Sequence, residues 1–137
     1  MVDKDIILAK SSAVKKHIKR IKDLPLKDFQ TFQNNSDYQD ILLFNIQLAV
    51  QNCIDIAAHI ISDEDLGIPG STNEMFYTLE ENGYLTRDIT EKMVRAVGFR
   101  NLIVHEYVNL KLNRVYEISK KDINDLDVFL KHIFLKI

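Results

Sequence analysis

Arg100, His105 and Tyr107 share one short run, Gly98-Phe99-Arg100-Asn101-Leu102-Ile103-Val104-His105-Glu106-Tyr107, whose remaining residues are largely apolar and helical in pattern. An arginine is almost never fully buried without a partner, and taking its charge out of water is costly unless a counter-charge or a phosphate compensates. Something must therefore meet Arg100. The side chains suit metal-free RNA cleavage. Imidazoles titrate near neutrality, so His105 can take the proton of a ribose 2′-hydroxyl or protonate the departing 5′-oxygen. The planar fork of Arg100 matches phosphate oxygens and can stabilise the extra charge of a five-coordinate phosphorane. Tyr107, a phenol with an ordinary pKa near ~10, is a poor base at neutral pH and reads as a substrate contact or a control point.

Helix geometry decides which of these groups can meet. Arg100 and Tyr107 differ by seven residues and share a face of a straight helix, whereas His105 is turned about 140° from Arg100. Either the helix distorts near His105, or a second copy of the chain supplies the missing group across a twofold interface. Asn101 and His105 form an i, i+4 pair whose hydrogen bond would fix the orientation and tautomer of the ring. Glu106 either raises the imidazole pKa or faces solvent.

The elements that position the motif are helices. Ile7, Ser11, Val14, Ile18 and Ile21 recur at helical spacing, and Pro25 closes that segment. Leu26 to Phe32 is a short bridge. Ser36 with Gln39 predicts a capping box for a long helix from about Asp37 to Ser62, apolar on so much of its circumference that it is central or meets a second subunit. Asp63 to Gly70 is a loop. Ser71 with Glu74 starts a shorter helix that Gly83 stops, and Thr86 or Asp88 caps the helix leading to Arg100. Val108 to Val115 has no clear pattern, and Ser119 with Asp122 predicts the cap of a last helix. No strand pair or repeat is visible, so the expected fold is an all-α antiparallel helical bundle in a single domain, 1–137.

Composition narrows the function classes. The chain of 137 residues carries a net charge of −2, which argues against a general nucleic-acid coat, but the charge is unevenly spread. Residues 3–23 hold seven bases against three acids, residues 63–91 hold eight acids against Arg87, and residues 92–116 hold five bases against Glu106. The motif thus lies in a locally basic stretch suited to an anion. No run approaches the roughly 18 consecutive apolar residues of a membrane span, and the opening Met1-Val2-Asp3-Lys4-Asp5 is no leader, so a cytoplasmic location is expected. Cys53, the single cysteine, reads as a small core hydrophobe. Asp55, His59 and Asp63 form a ladder that reads as a polar stripe rather than a metal site, and no metal or other cofactor is expected. His17 and His132 read as surface residues. Phe29, Phe32, Phe44, Phe76, Phe129 and Phe134 read as core or interface filling. The chain lacks a Gly-rich phosphate loop and a Cys/His cluster.

The R-x-x-x-x-H-x-Y pattern with its Gly-Phe preface resembles the signature of the HEPN ribonucleases, and within them the HepT-like toxins. The likeness extends to Asp55-Ile56-Ala57-Ala58-His59-Ile60-Ile61, Leu66-Gly67-Ile68-Pro69 and Val115-Tyr116-Glu117-Ile118, in the same order. The resemblance implies an all-α homodimer whose two motifs meet in a cleft, and a metal-independent endoribonuclease cutting tRNA or mRNA. Its catalytic residues would be Arg100 and His105, with Asn101 in an orienting role. It also implies a partner, a minimal nucleotidyltransferase antitoxin of the MntA type, that neutralises the toxin by attaching AMP to Tyr107. The competing expectation is a non-catalytic subunit that binds substrate or nucleotide for such a transferase, using the same basic cleft.

Overall fold

A computed structural model describes all 137 residues, Met1–Ile137, as helices joined by short turns. Helix α1 spans Lys4–Lys22; the Asp3 carboxylate caps it by accepting from the N–H groups of Asp5 and Ile6. Its buried residues are Ile7, Ser11, Val14, Ile18 and Ile21, the stripe read from the sequence. Helix α2 (Phe29–Gln33) follows the Pro25 turn.

Helix α3, Ser36–Asp63, is the axis of the molecule. Asn35, not Ser36, is its cap: the Asn35 side-chain oxygen accepts from the Tyr38 N–H. Gln39 makes no capping box, because its amide donates to the Phe32 and Gln33 carbonyls and so ties α3 back onto α2. By length and apolar content alone α3 could cross a bilayer, but more than half of its most apolar window is buried within the bundle. Its buried residues include Leu42, Ile46, Ala49, Cys53, Ile56, Ala57 and Ile60, and α1, α4, α5 and α7 pack around it.

Helix α4 (Thr72–Glu81) starts at Ser71, whose hydroxyl accepts from the Glu74 N–H, and ends before Gly83, which takes the left-handed φ of +82° that glycine tolerates. Thr86 caps α5, Arg87–His105. After a 3₁₀ turn, Tyr107–Asn109, helix α6 (Leu112–Glu117) runs through a π-helical turn, Ile118–Asp122, into α7, Asn124–Lys136. The cap expected at Ser119 does not exist. The Ser119 hydroxyl donates to the Tyr116 carbonyl, and the chain winds on without a break. The ring edges of Phe76 and Phe129 join α4 to α7, with centroids 5.7 Å apart. The fold is thus the all-α bundle expected, without a strand.

Candidate functional site

Ile89, Thr90, Met93, Val97 and Ile103 are the buried residues of α5, and they seat this helix antiparallel against α3. The last turn is held less firmly. Beyond Ile103 no residue is buried until Val115, and the helix ends at His105 with no side-chain cap on the 3₁₀ turn that follows.

Arg100 is half-buried against α3. One terminal nitrogen donates to the Gln51 side-chain oxygen at 2.5 Å and the other to the Asn101 side-chain oxygen at 3.0 Å. Its Nε is buried without a partner, and no carboxylate forms an ion pair with it. The expectation that something must meet Arg100 holds, but what meets it is neutral. A buried donor left unpaired costs roughly 1–3 kcal/mol, more when charged, so the arrangement suits a site awaiting an anion.

A relay reaching back to α1 fixes this geometry. The Gln51 amide donates to Asp55 Oδ1 at 2.9 Å, which turns the Gln51 oxygen towards Arg100. The other Asp55 oxygen accepts from Lys10 Nζ at 3.1 Å. In the sequence Asp55 stands out only through its ladder with His59 and Asp63, and Gln51 not at all; the local clue to the relay is their i, i+4 spacing on α3.

Tyr107, half-exposed, donates from its hydroxyl to the carboxylate of Asp40 near the start of α3. That hydrogen bond, then partial burial, then the Asp40 charge raise the phenol pKa above its ordinary value. The helix breaks at Glu106, before Tyr107, yet Arg100 and Tyr107 both reach α3, meeting it at Gln51 and Asp40, eleven residues apart.

His105 is exposed at the end of α5 and makes no hydrogen bond within the chain. The expected Asn101–His105 bond is not formed, because the Asn101 oxygen is taken by Arg100; Asn101 orients the guanidinium instead of the ring. Glu106 is exposed and only closes the helix, its N–H donating to Leu102. Around the motif the apolar side chains of Phe44 (58 % exposed), Val104 and Val108 (94 % exposed) are uncovered, and Leu102 is uncovered on the other side of α5.

Of the remaining histidines, His17 departs from expectation. His17 is not solvated; its Nδ1 pairs with the buried Asn45 side-chain oxygen at 2.8 Å. His132 Nδ1 is within 2.9 Å of the Val128 carbonyl, one turn earlier. The Asp55, His59 and Asp63 ladder is tied to the N-terminal region by Lys10 and by the Asp3 N–H, which donates to Asp63. No three His, Cys, Asp or Glu side chains gather as a metal site. Cys53 is fully buried, and burial pushes its thiol pKa far up.

The chain as a whole is similar to known nucleases. The model of the Ribonuclease HepT-like family matches residues 14–133. The mRNA nuclease HepT of Shewanella oneidensis is 34 % identical over 126 residues, covering 92 % of this chain and 94 % of its own length. The tRNA nuclease HepT of Aphanizomenon flos-aquae is 26 % identical over 117 residues, 85 % of this chain and 78 % of that one. Among solved structures, the tri-AMPylated Shewanella oneidensis HEPN toxin in complex with MNT antitoxin superposes with a TM-score of 0.89 at 33 % identity, covering 98 % of this chain and 99 % of that one. A toxin–antitoxin complex with AMP-PNP has the same TM-score and identity over 96 % and 98 %.

Proposed function

The chain belongs to the Ribonuclease HepT-like family, and from that premise we propose that it is the toxin of a HepT/MntA-type pair, a metal-independent endoribonuclease of cytoplasmic RNA such as tRNA or mRNA. The observation that carries the reading is the Arg100 guanidinium, held by neutral groups and with Nε unpaired. A phosphate oxygen is the partner it lacks. Arg100 then stabilises the phosphorane, and His105 moves the proton of the 2′-hydroxyl or of the leaving 5′-oxygen.

One chain offers one imidazole, exposed and without a hydrogen bond to its own Arg100. A homodimer formed across the exposed Phe44, Val104 and Val108 brings a second motif alongside, providing both an acid and a base. Phe44→Asp should then yield monomers by light scattering, with activity falling in parallel. A variant that stays dimeric and active assigns the interface elsewhere.

Tyr107 is the proposed site at which a nucleotidyltransferase antitoxin attaches AMP. Its half-exposed hydroxyl can be reached, and esterification has two physical consequences. The phenol loses the proton it donates to Asp40, and an anionic phosphate is placed beside that carboxylate. Both drive the tyrosine off α3, while the added nucleotide blocks RNA by bulk and charge.

Purified protein incubated with labelled tRNA and mRNA in EDTA, beside Arg100→Ala and His105→Ala, tests the activity. Cleavage by the wild type alone supports it. Binding without cleavage favours a non-catalytic partner of a nucleotidyltransferase, and equal cleavage by all three proteins points to a contaminant. Co-expression with the antitoxin should add the mass of AMP to wild type and not to Tyr107→Phe.

A further inference from the structure

Neither Arg100 nor His105 lines two cavities that open along α5. The first, about 380 Å³, has an apolar floor that includes Ile46, Val50, Phe99 and Ile118 and is walled by the π-helical turn. Single π turns occur frequently at functional sites. The second, about 590 Å³, is lined by Gly98, Leu102, Glu106 and Asn109 and so reaches the turn that follows His105. Arg95, Phe99 and Arg114 line both, so the two cavities adjoin along α5 as a two-part groove.

The groove is basic. Lys92, Arg95, Lys111, Arg114 and Lys121 line it against the carboxylates of Glu106, Asp122 and Asp125. Arg114 is engaged by Glu117 and Asp122, and Lys92 by Asp88, whereas Arg95 makes no ion pair.

Gly98 points to an external occupant. Glycine in a helix interior is less stable than alanine, so a packing reason is expected. None exists here, since a Cβ built on Gly98 would meet no atom within 4 Å. The bare backbone faces the groove, open to something that comes close from outside. Gly98 and His105 are seven residues apart, which puts them on one face of α5 about 10 Å apart along its axis. A strand lying over Gly98 therefore leads to the imidazole.

We propose that this groove is a nucleotide subsite for the RNA strand next to the scissile bond. A phosphate crosses the bare Gly98 backbone between Arg95 and Arg114, and the adjoining base lies on Phe99 and the aliphatic floor, a stacking and charge pairing typical of single-stranded RNA recognition. The proposal rests on the ribonuclease reading. A free mononucleotide offers the same base and phosphate, and the experiment separates the two sources.

The full chain carrying His105→Ala, which leaves RNA uncut, is titrated against a fluorescein-labelled single-stranded oligoribonucleotide by anisotropy. Adding Arg95→Glu should weaken binding tenfold or more, and adding Gly98→Leu several-fold. Gly98→Ala should keep or raise Tm because its methyl meets nothing, so loss of fold cannot mimic the result. Either double variant binding RNA as tightly as its parent overturns the subsite. A parent that binds no RNA overturns the ribonuclease reading and the subsite together. AMP, CMP, GMP and UMP serve as competitors; any that displaces the oligonucleotide at a concentration matching the oligonucleotide's own Kd assigns the groove to a free nucleotide and overturns the RNA assignment.

Discussion

Helix α3 meets α1 on one side and α5 on another, and the two contacts are finished differently. Towards α1, an apolar stripe from Ile7 to Ile21 is sealed by polar groups that find partners. His17 pairs with Asn45, Asn45 donates back to Ile41, and Lys10 pairs with Asp55. Only the Ser11 hydroxyl is left buried and unpaired, a neutral group. Towards the end of α5 the contact is carried by Gln51–Arg100 and Asp40–Tyr107, with a charged nitrogen orphaned, the imidazole outside and apolar side chains uncovered. One helix thus serves as a packing surface on one flank and as a platform for incomplete chemistry on the other. Three buried polar atoms lack partners, Ser11 Oγ, Glu80 Oε1 and Arg100 Nε, and only the last is a cationic donor that a phosphate could satisfy.

Variants on the two flanks should separate activity from stability. On the α5 flank, His105→Ala and Arg100→Leu should each lower RNA cleavage by about 10²-fold or more. Arg100→Leu should also leave Tm unchanged or raise it, because it removes an unpaired buried donor while keeping an apolar stem over α3. Single-turnover cleavage and thermal denaturation of the same samples check both halves; a Tm collapse in Arg100→Leu would make the residue structural. On the α1 flank, Ile7→Ala removes a side chain with no exposure and should cost about 2–5 kcal/mol in denaturant unfolding. The fraction still folded should cleave at the wild-type rate. A rate defect in fully folded Ile7→Ala protein would break the division between the two flanks.

The same contrast explains what the sequence disclosed. The stripe of α1, the Ser71 and Thr86 caps and the helical character of the whole chain were legible because each is set by local spacing and capping chemistry. The end of α5 was less legible: it stops at His105, so Tyr107 starts a 3₁₀ turn rather than sharing a helical face with Arg100. Tertiary partners were not legible. Asp40 and Gln51 lie far from the motif in the chain, and no local pattern says that α3 brings them to Tyr107 and Arg100. Asn101 was paired with His105 on helical spacing, but the neighbouring guanidinium is the stronger donor and takes its oxygen. Ser119 was read as a cap because a Ser followed three residues later by an acid resembles one; its hydroxyl satisfies a carbonyl inside a continuing helix instead. His17 was assigned to solvent by its lysine neighbours, although Asn45 waits across the helix interface.

Gln51 links the two flanks and should show an intermediate effect. Its oxygen is aimed at Arg100 only because its amide is held by Asp55, which Lys10 steadies in turn. Gln51→Leu should lower kcat about tenfold by freeing the guanidinium. Gln51→Glu pairs Arg100 with a charge and offers the phosphate a competitor, so it should raise KM as well. If Gln51→Leu cleaves with wild-type kcat, the relay has no part in positioning Arg100.

The smallest expected effect concerns the last tie of α5 to α3. The Tyr107 hydroxyl must stay protonated to donate to Asp40, and this hydrogen bond is the leading cause of its raised pKa. For a phenol whose folded pKa lies above its unfolded value of about 10, the contact is fully present below that pH and is lost as pH rises through the folded value. At neutral pH the tie is therefore intact, and acid does not weaken it through the phenol. Ultraviolet titration of phenolate in wild type minus Tyr107→Phe isolates this residue from the other four tyrosines. Asp40→Asn keeps an acceptor but removes the charge, so the Tyr107 transition should move back towards the ordinary phenol range, with little change in Tm because the pair is exposed. An unchanged transition would mean that Tyr107 is free of α3 in solution, and that the end of α5 is anchored by Arg100 alone.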